Sequence, residues 1–412
     1  MRILSSQEAR LVDQRTIKDL GIPGETLMAK AGLAVAEEAK KMLLERGGGH
    51  RVAIICGRGN NGGDGYAAAP RLQQFGADVA LFSTVPQDKI TGDAGIFHWR
   101  CVELKLPIQY DAEAGSVDVS GYALIVDGLL GTGVKGNVRP GAAAWIEKIN
   151  GSGIPVLSVD IPSGVSSDSG QILGAAVRAS NTVTMGYLKQ GLVMNPGAEL
   201  AGSVQVADLE YPDEAFATLE TEKETFEETV ARSYLTEPPP DTYKHRQGKV
   251  LVLAGSRGFT GAMCLVSMGA LRAGAGLVVA GVPESLNTIV ETKLTEVITA
   301  PVPDNGDGSL GEKSLEHLGP QLEWCHVVAI GPGLGTTPEP LAFARALFDT
   351  VEKPLVLDAD ALRVFRHDLD FFKKLKNEFI ITPHHGEAAA LFDVGKETIV
   401  SDPFDFVHES SR

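Results

Sequence analysis

Short apolar runs alternate with helical patterns along most of the chain. In the first half the runs are brief and uninterrupted, as expected for parallel strands that are buried on both faces. Helical periodicity lies between several of them, which predicts parallel pairing and a three-layer α/β/α sandwich. The predicted strands of this half are residues 52–56, 78–82, 123–126, 155–159 and 182–185.

Two helices are predicted ahead of the first buried strand. Ser5 or Ser6 can cap the first helix, because a side-chain hydroxyl accepts a hydrogen bond from the free N–H groups of a first turn. Pro23 lies near the start of the second helix, which should end at the glycines of residues 47–49. Later helices are predicted at residues 67–74, after a glycine-rich loop, and 142–149.

A change in composition near residue 212 indicates a domain boundary. Residues 213–230 are rich in Glu and Thr and predict an exposed helix, and the prolines of residues 238–240 predict a stiff spacer. We assign residues 1–212 to a first domain, 213–240 to a linker and 241–412 to a second domain. The second domain repeats the α/β alternation, with predicted strands at residues 249–253, 277–279, 327–330, 355–357 and 379–381 and a helix that ends at Arg272.

Composition narrows the class of protein. A hydrophobic content of 43% with 22% charged residues is typical of globular proteins. A net charge of -16 argues against nucleic acid or a membrane surface as a partner. No apolar run has membrane-spanning length and the start lacks the apolar core of a secretory signal, which predicts a cytoplasmic location. The four cysteines show no C-x-x-C spacing, which favours reduced thiols.

A glycine-rich segment follows the first buried strand. Residues 57–65 read G-R-G-N-N-G-G-D-G and satisfy the dinucleotide fingerprint G-x-G-x-x-G. The acid expected about 20 residues later is absent, so the fingerprint alone is weak. The side-chain oxygens of Asn60, Asn61 and Asp64 can bind a cation or sugar hydroxyls, and nearby N–H groups can cradle phosphate. The alternative is an ordinary turn in which Asp64 caps the next helix.

Polar side chains also follow two later strands. Asp127 precedes the segment G-L-L-G-T-G-V-K-G, which contains Lys135, and Asp160 and Ser163 belong to D-I-P-S-G. Because ligands bind where the carboxyl ends of parallel strands meet, we expect one shared site at this edge. Taken singly, each aspartate could equally be a turn or cap residue.

These segments together resemble the NAD(P)H-hydrate epimerase family over essentially residues 1–212. The segment G-Y-L-K-Q-G-L at residues 186–192 continues the match. The resemblance implies a potassium ion held by Asn61, Asp127 and Ser163, and acid/base work by Asp160 on the hydrated nicotinamide. The residues that it implies in binding the hydrated nucleotide are Asn60, Asn61, Gly62, Gly63, Asp64, Gly131, Thr132, Gly133, Val134, Lys135, Gly136, Asn137 and Asp160.

The implied substrate, hydrated NADH or NADPH (NADHX or NADPHX), fits the charge of the chain. Its phosphates need local positive potential, which potassium, backbone N–H groups and Lys135 can supply in an acidic protein. Inversion at C6 can pass through water loss to an iminium or through ring opening, and either route needs proton transfer. Lys189 is a weaker candidate for the site, with a solvated surface lysine as the alternative. The family usually shows Glu-Asn where this chain has Ala29-Lys30. This departure predicts a difference at the entrance or at the surface of a homo-oligomer and an unchanged site at the sheet edge.

The second domain resembles the ADP/ATP-dependent NAD(P)H-hydrate dehydratases, which have a ribokinase-like fold. The matching segments are residues 248–256, 261–262, 270–276, 331–335, 358–362 and 382–387. The resemblance implies that Ala262, Gly333 and His384 line a hydrate site and that ADP or ATP with Mg²⁺ is used. The alternative for His384 is a histidine at a helix start. The family's G-T/S-G-D loop is not found after Glu387, so we expect a C-terminally incomplete second domain with impaired dehydration.

Two other functions remain open from the sequence. One is a small-molecule kinase for a vitamin precursor, since the ribokinase-like fold also serves such enzymes. The other is a non-catalytic nucleotide-binding scaffold, which would be expected to lose the residues at the strand ends. All of them are present here, which favours an enzyme.

Overall fold

The structure, a computed structural model, describes residues 1–47, 49–217, 219, 223–235 and 239–411. The chain divides into two compact units, Met1–Ser233 and Tyr234–Arg412. The predicted linker, residues 213–240, contains this division, and its exact bounds stay a prediction. One residue of the predicted proline spacer, Pro238, lies outside the described residues.

The described part of the first unit contains a parallel sheet of seven strands and a two-stranded parallel ribbon. In chain order its strands are β1 Ile3–Leu4, β2 Arg51–Cys56, β3 Asp78–Ser83, β4 Ile108–Gln109, β5 Leu124–Gly128, β6 Val156–Val159, β7 Asn181–Met185, β8 Leu188–Lys189 and β9 Ser203–Ala207. The large sheet has the order β4-β3-β2-β5-β6-β7-β9, and the ribbon pairs β1 with β8. The five predicted strands are confirmed, whereas the short strands β1, β4 and β8 and the half-exposed β9 lack the apolar runs from which a strand is predicted.

Helices cover both faces of this sheet. They are α1 Ser6–Lys18, α2 Gly24–Arg46, α3 Asn60–Gln74, α4 Gly92–Glu103, α5 Pro140–Gly151, α6 Gly197–Leu200 and, at the division between the units, α7 Glu228–Tyr234. Alternate residues of β2 enter opposite cores: Ile54 packs with α2, α3 and α4, and Ile55 packs with Trp145 of α5. The predicted three-layer arrangement follows from this alternation. Ser5 caps α1 as predicted, by accepting a hydrogen bond from Glu8 N–H at 3.2 Å.

The predicted helix over residues 213–230 is wrong for most of its length. In its described residues, a short 3-10 turn at Asp213–Ala215 is followed by an α-helix only from Glu228. Residues 218 and 220–222 of this prediction lie outside the described residues. The intervening backbone pairs instead with the start of the chain: Ile3 N–H donates to Lys223 O at 2.7 Å, and Thr225 N–H donates to Met1 O at 2.9 Å. Tertiary hydrogen bonds therefore override the helical propensity of this polar segment.

The glycine-rich segment is mostly helix and not loop. Helix α3 begins at Asn60 with Gly59 as its N-cap, so Asp64 lies inside the helix and does not cap it. Glycine is unfavourable within a helix, but a Cβ on Gly62 would lie 2.0 Å from the carbonyl oxygen of Gly57. A Cβ on Gly65 would lie 3.0 Å from Cys56 Sγ. These glycines let the first turns of α3 lie directly against the end of β2.

The described part of the second unit is a six-stranded parallel sheet with the order β12-β11-β10-β13-β14-β15. Its strands are β10 Lys249–Leu253, β11 Leu277–Pro283, β12 Ile298–Val302, β13 Val327–Ile330, β14 Leu355–Leu357 and β15 Phe379–Ile381. Its α-helices are α8 Thr260–Arg272, α9 Asn287–Lys293, α10 Glu312–Glu316, α11 Gly319–Trp324, α12 Pro338–Thr350, α13 His385–Phe392, α14 Lys396–Ser401 and α15 Pro403–Ser410. The predicted strands are confirmed, and the α/β fold class holds for both units.

The close packing of α3 yields a stability prediction. We expect Gly62→Ala to lower the free energy of unfolding by about 1–3 kcal/mol, because the added methyl group must displace backbone. The melting temperature of the full chain, followed by circular dichroism, should fall by about 2–4 °C per kcal/mol. Gly141→Ala in α5 is the control, since its Cβ would meet nothing within 4 Å. A Gly62→Ala protein that melts at or above the wild-type temperature would contradict this packing.

Candidate active site

A cavity of about 630 Å³ lies at the carboxyl ends of the first unit's strands. Helices α1 and α2, the start of α3, the loop after β5 and the segments after β6 and β7 all contribute to its wall. The residues predicted for the site that line the cavity are Asn60, Asn61, Asp64, Gly131, Thr132, Gly133, Val134 and Asp160. The polar residues that the sequence predicts to meet at one edge of the sheet therefore line a common cavity.

The other predicted nucleotide-binding residues of this unit do not line the cavity. Gly62 and Gly63 are buried within α3, where a Cβ on Gly63 would lie 2.6 Å from Met28 Cε. Lys135, Gly136 and Asn137, in the loop after β5, are exposed and do not contribute to the lining of the cavity. Contact between these three residues and a nucleotide stays a prediction.

Asp127 ties the strand-end loops together. Its carboxylate is completely buried at the end of β5 and accepts hydrogen bonds from Ser163 Oγ at 2.6 Å, Ser163 N–H at 2.9 Å and Ser158 Oγ at 2.9 Å. A fourth donor is Leu129 N–H at 3.3 Å. Burial raises the pKa of Asp127, and these hydrogen bonds oppose that rise by stabilising its charged form. Asp127 therefore fixes the position of the β6 loop relative to β5.

Asn61 joins the same cluster from α3. Its side-chain amide donates to Leu130 O at 2.8 Å and to Val159 O at 2.7 Å. Ser163 Oγ donates a hydrogen bond to the same Leu130 carbonyl at 3.2 Å, and it accepts one from Leu130 N–H at 2.8 Å. The predicted cation ligands Asn61, Asp127 and Ser163 thus meet around one short piece of backbone.

This cluster fits a potassium ion by its chemistry. Carboxylate, hydroxyl, amide and backbone carbonyl oxygens are the ligands of hard cations. Within the described residues, no lysine or arginine forms an ion pair with Asp127, although its carboxylate is completely buried. A buried carboxylate that lacks a cationic side chain is favourable for a bound cation.

Asp160 and Lys189 form a buried ion pair in the cavity. Asp160 also accepts hydrogen bonds from Met185 N–H at 3.1 Å and Thr184 Oγ1 at 3.2 Å, and its backbone has a positive φ of 65°. Lys189 is 2% exposed, so the interpretation as a solvated surface lysine is wrong. Lys189 lies in β8, which pairs with β1, and this pairing accompanies the burial of its side chain.

Two further carboxyls face this ion pair. Burial raises the pKa of Asp64 well above its ordinary value; the charges of Asp160 and Asp13 add to the rise and Lys189 opposes it. Asp13 of α1 also lines the cavity and accepts a hydrogen bond from Tyr211 Oη at 2.6 Å. Burial raises the pKa of Asp13 as well, while the Tyr211 hydroxyl and Lys189 lower it.

Asp13, Tyr187 and Tyr211 are site residues that sequence reasoning missed. Asp13 lies in an ordinary amphipathic helix and Tyr211 follows the half-exposed β9, so neither carries a motif signal. Tyr187 adjoins Lys189 in a segment that matched the family, and its ring lies 4.6 Å from the Lys189 ammonium. The family match of residues 186–192 was therefore the sequence signal that could have identified Tyr187.

Lys30 is one of the two residues at which the sequence is expected to depart from the family pattern, and it contacts the segment that contains Leu209, a residue of the cavity wall. Its ammonium donates to Leu209 O at 3.1 Å and pairs with Glu210 at 2.9 Å. These residues directly precede Tyr211, which holds Asp13. Lys30 therefore contacts the segment that positions Tyr211, in addition to any effect of the departure at the entrance of the cavity.

Loops also converge at the carboxyl ends of the second unit's strands. Gly255 N–H donates to Pro332 O at 2.8 Å, and Ser256 Oγ donates to Gly333 O at 2.9 Å. A Cβ on Gly333 would lie 3.1 Å from Ala262 Cβ, so these two predicted residues are neighbours. His384 is exposed and caps α13, since its Nδ1 accepts from Gly386 N–H at 3.0 Å. His384 is therefore the N-cap residue of α13, as the alternative interpretation expects, and its role in hydrate binding stays a prediction.

None of the helices in the described residues has the length and apolar character needed to cross a bilayer.

Comparison with known proteins covers both units. The family described as YjeF-related protein N-terminus matches residues 24–191, and the family described as NAD(P)H-hydrate dehydratase matches residues 250–407. This chain is similar to a solved structure of an ADP/ATP-dependent NAD(P)H-hydrate dehydratase from Bacillus subtilis, with 26% sequence identity and a TM-score of 0.36. The match covers 45% of this chain and 61% of the dehydratase chain.

Two curated relatives extend the match over the whole chain. The bifunctional NAD(P)H-hydrate repair enzyme of Moorella thermoacetica is 34% identical over 417 residues, which cover 100% of this chain and 79% of the relative. The protein of the same description from Thermofilum pendens is 34% identical over 98% of this chain and 77% of its own length. The chain therefore belongs to the family of bifunctional NAD(P)H-hydrate repair enzymes.

Proposed function

We propose that the first unit interconverts the two C6 epimers of hydrated NADH and NADPH. The observation that carries the proposal is the buried Asp160–Lys189 pair in a 630 Å³ cavity at the carboxyl ends of the sheet. A positioned carboxylate is the group needed to move a proton to or from the C6 hydroxyl.

Binding of the phosphates is assigned to the start of α3 and the cavity rim. The helix has 15 residues, and its first N–H groups carry partial positive charge that attracts anions. Arg10 of α1 and Arg58 line the same cavity with exposed guanidinium groups. These groups supply positive charge at the rim of the cavity in a chain whose net charge is -16.

Asp160 is oriented by three donors. Met185 N–H and Thr184 Oγ1 fix the carboxylate, and the Lys189 ammonium balances its charge. An oriented and largely buried carboxylate accepts a proton from the C6 hydroxyl or from an incoming water.

Potassium is proposed for the cluster of Asn61, Asp127, Ser163 and the Leu130 carbonyl. Bound there, it would supply positive charge close to the phosphates and keep the strand-end loops in one arrangement. Support comes from the shared hydrogen bonds of these residues and from the buried charge of Asp127.

The second unit is proposed to have the fold and the hydrate-site loops for the nucleotide-dependent dehydration that its family description names, and the impaired dehydration expected from the sequence stays a prediction. Support comes from the family match over residues 250–407 and from the converging glycine loops beside Ala262 and Gly333. Recovery of reduced nicotinamide absorbance after ATP or ADP with Mg²⁺ is added to the hydrate would support this assignment. If no recovery occurs with either nucleotide, dehydration is not an activity of this chain. Consumption of ATP with vitamin precursors would instead favour a small-molecule kinase.

We expect Asp160→Asn to reduce kcat for epimerisation by roughly 100-fold or more, since the amide cannot accept the proton. The rate at which separated epimers interconvert, followed by chromatography, measures this. Asp118→Asn is the matched control, because Asp118 is exposed and, within the part of the chain that the structure describes, its carboxylate accepts hydrogen bonds only from neighbouring Ser120. An Asp160→Asn protein that is folded and as active as wild type would refute the role of Asp160. A wild-type protein that binds the hydrate without epimerising it would favour the scaffold function.

We expect potassium to raise the melting temperature of the full chain more than choline does at equal ionic strength, because a ligand that binds only the folded state stabilises it. Ser163→Ala should reduce this difference, since it removes one oxygen ligand and leaves the Asp127 carboxylate in place. Equal melting temperatures in potassium and choline chloride would argue against a potassium site.

A further inference from the structure

The cavity of the first unit contains more carboxyl groups than its buried cation can neutralise. Asp13, Asp64 and Asp160 all line it, and Lys189 is the buried cationic side chain among its described lining residues. Nearby carboxylates in a low-dielectric site cannot all ionise, because each charge raises the cost of the next. At neutral pH the cluster should therefore retain a proton.

Hydrogen bonding decides which carboxyl keeps that proton. Asp160 has the Lys189 ammonium and two donors, and Asp13 has the Tyr211 hydroxyl at 2.6 Å. Asp64 is 8% exposed, and among the described residues its carboxyl has no hydrogen-bond partner. The carboxyl without a donor is the one whose charged form is least stabilised.

We propose that Asp64 is the proton donor of the epimerisation and that Asp160 is its complementary proton acceptor. This inference rests on the proposed function of the first unit. Asp64 projects into the cavity from the start of α3, so its proton is available to a ligand bound over that helix end.

The chemistry balances without a redox partner. The C6–O bond breaks as the lone pair of the ring nitrogen forms the C6=N bond, and the Asp64 proton converts the departing hydroxyl into water. A water then adds to C6 from the opposite face, the C6=N pair returns to nitrogen, and Asp160 takes the proton of that water. After the epimer leaves, solvent water takes the proton from Asp160 and returns a proton to Asp64, and the opposite epimer is converted by the same steps in reverse.

The charged groups around Asp64 predict a particular pH dependence. Asp160 and Asp13 raise the pKa of Asp64 and Lys189 lowers it. Because Asp64 must be protonated and Asp160 ionised, kcat should be bell-shaped in pH and should fall on the alkaline side as Asp64 loses its proton.

We expect Asp64→Asn to lower kcat by roughly 100-fold or more with little change in KM, and to abolish the alkaline limb. The amide is neutral, as the protonated acid is, so the melting temperature should stay close to that of wild type. Asp13→Asn should move the alkaline limb to lower pH, because it removes a negative charge near Asp64. Asp118→Asn should change neither limb.

Infrared spectroscopy of the full chain tests the protonation state without relying on activity. We expect a protonated carboxyl C=O band at neutral pH in wild type that Asp64→Asn removes and Asp118→Asn retains. If the wild type epimerises but Asp64→Asn keeps its kcat and alkaline limb, or the band is absent, Asp64 is not the donor. If the wild type shows the band but does not interconvert the epimers, the proposed function fails, and with it the donor role, while the protonated Asp64 stands.

Discussion

The first unit depends on the hydrogen bonds that the buried Asp127 carboxylate accepts. Ser163 donates both its hydroxyl and its N–H group, and Ser158 donates from β6, so the loops after β5 and β6 hold one arrangement. Asn61 connects α3 to the same backbone through Leu130 and Val159. Burying a carboxylate is costly unless it is well bonded, and here that bonding fixes the geometry of the cavity.

The close approach of α3 to β2 is the second constraint. It requires a residue without a side chain at Gly62 and leaves little room for one at Gly65, and it brings the helix N-terminus to the end of the sheet. The same approach places Asn61 on the oxygen cluster and Asp64 in the cavity. A single glycine-rich sequence thus supplies the helix end that we propose binds phosphate, a proposed cation ligand and a buried acid.

Much of this arrangement could be predicted from the sequence. Continuous apolar runs such as residues 52–56 identify buried parallel strands, and polar residues that follow them, such as Asp127 and Ser163, must meet at one edge. The residues that sequence missed depend on packing between distant segments. Tyr211 reaches Asp13 across 198 positions. The burial of Lys189, which the sequence left open, accompanies the pairing of β8 with β1. Helical propensity failed at residues 213–230 because the chain start offered better backbone partners.

The central claim is that the hydrated nucleotide binds over the start of α3 with its nicotinamide beside Asp160 and Asp64. A crystal structure of the full chain with potassium and a hydrated dinucleotide tests this most directly. The account predicts the C6 hydroxyl within hydrogen-bond distance of these carboxyls, the diphosphate at the N-terminus of α3, and potassium among Asn61, Asp127 and Ser163. A nucleotide bound outside this cavity, or with its ring turned away from Asp160, would contradict it.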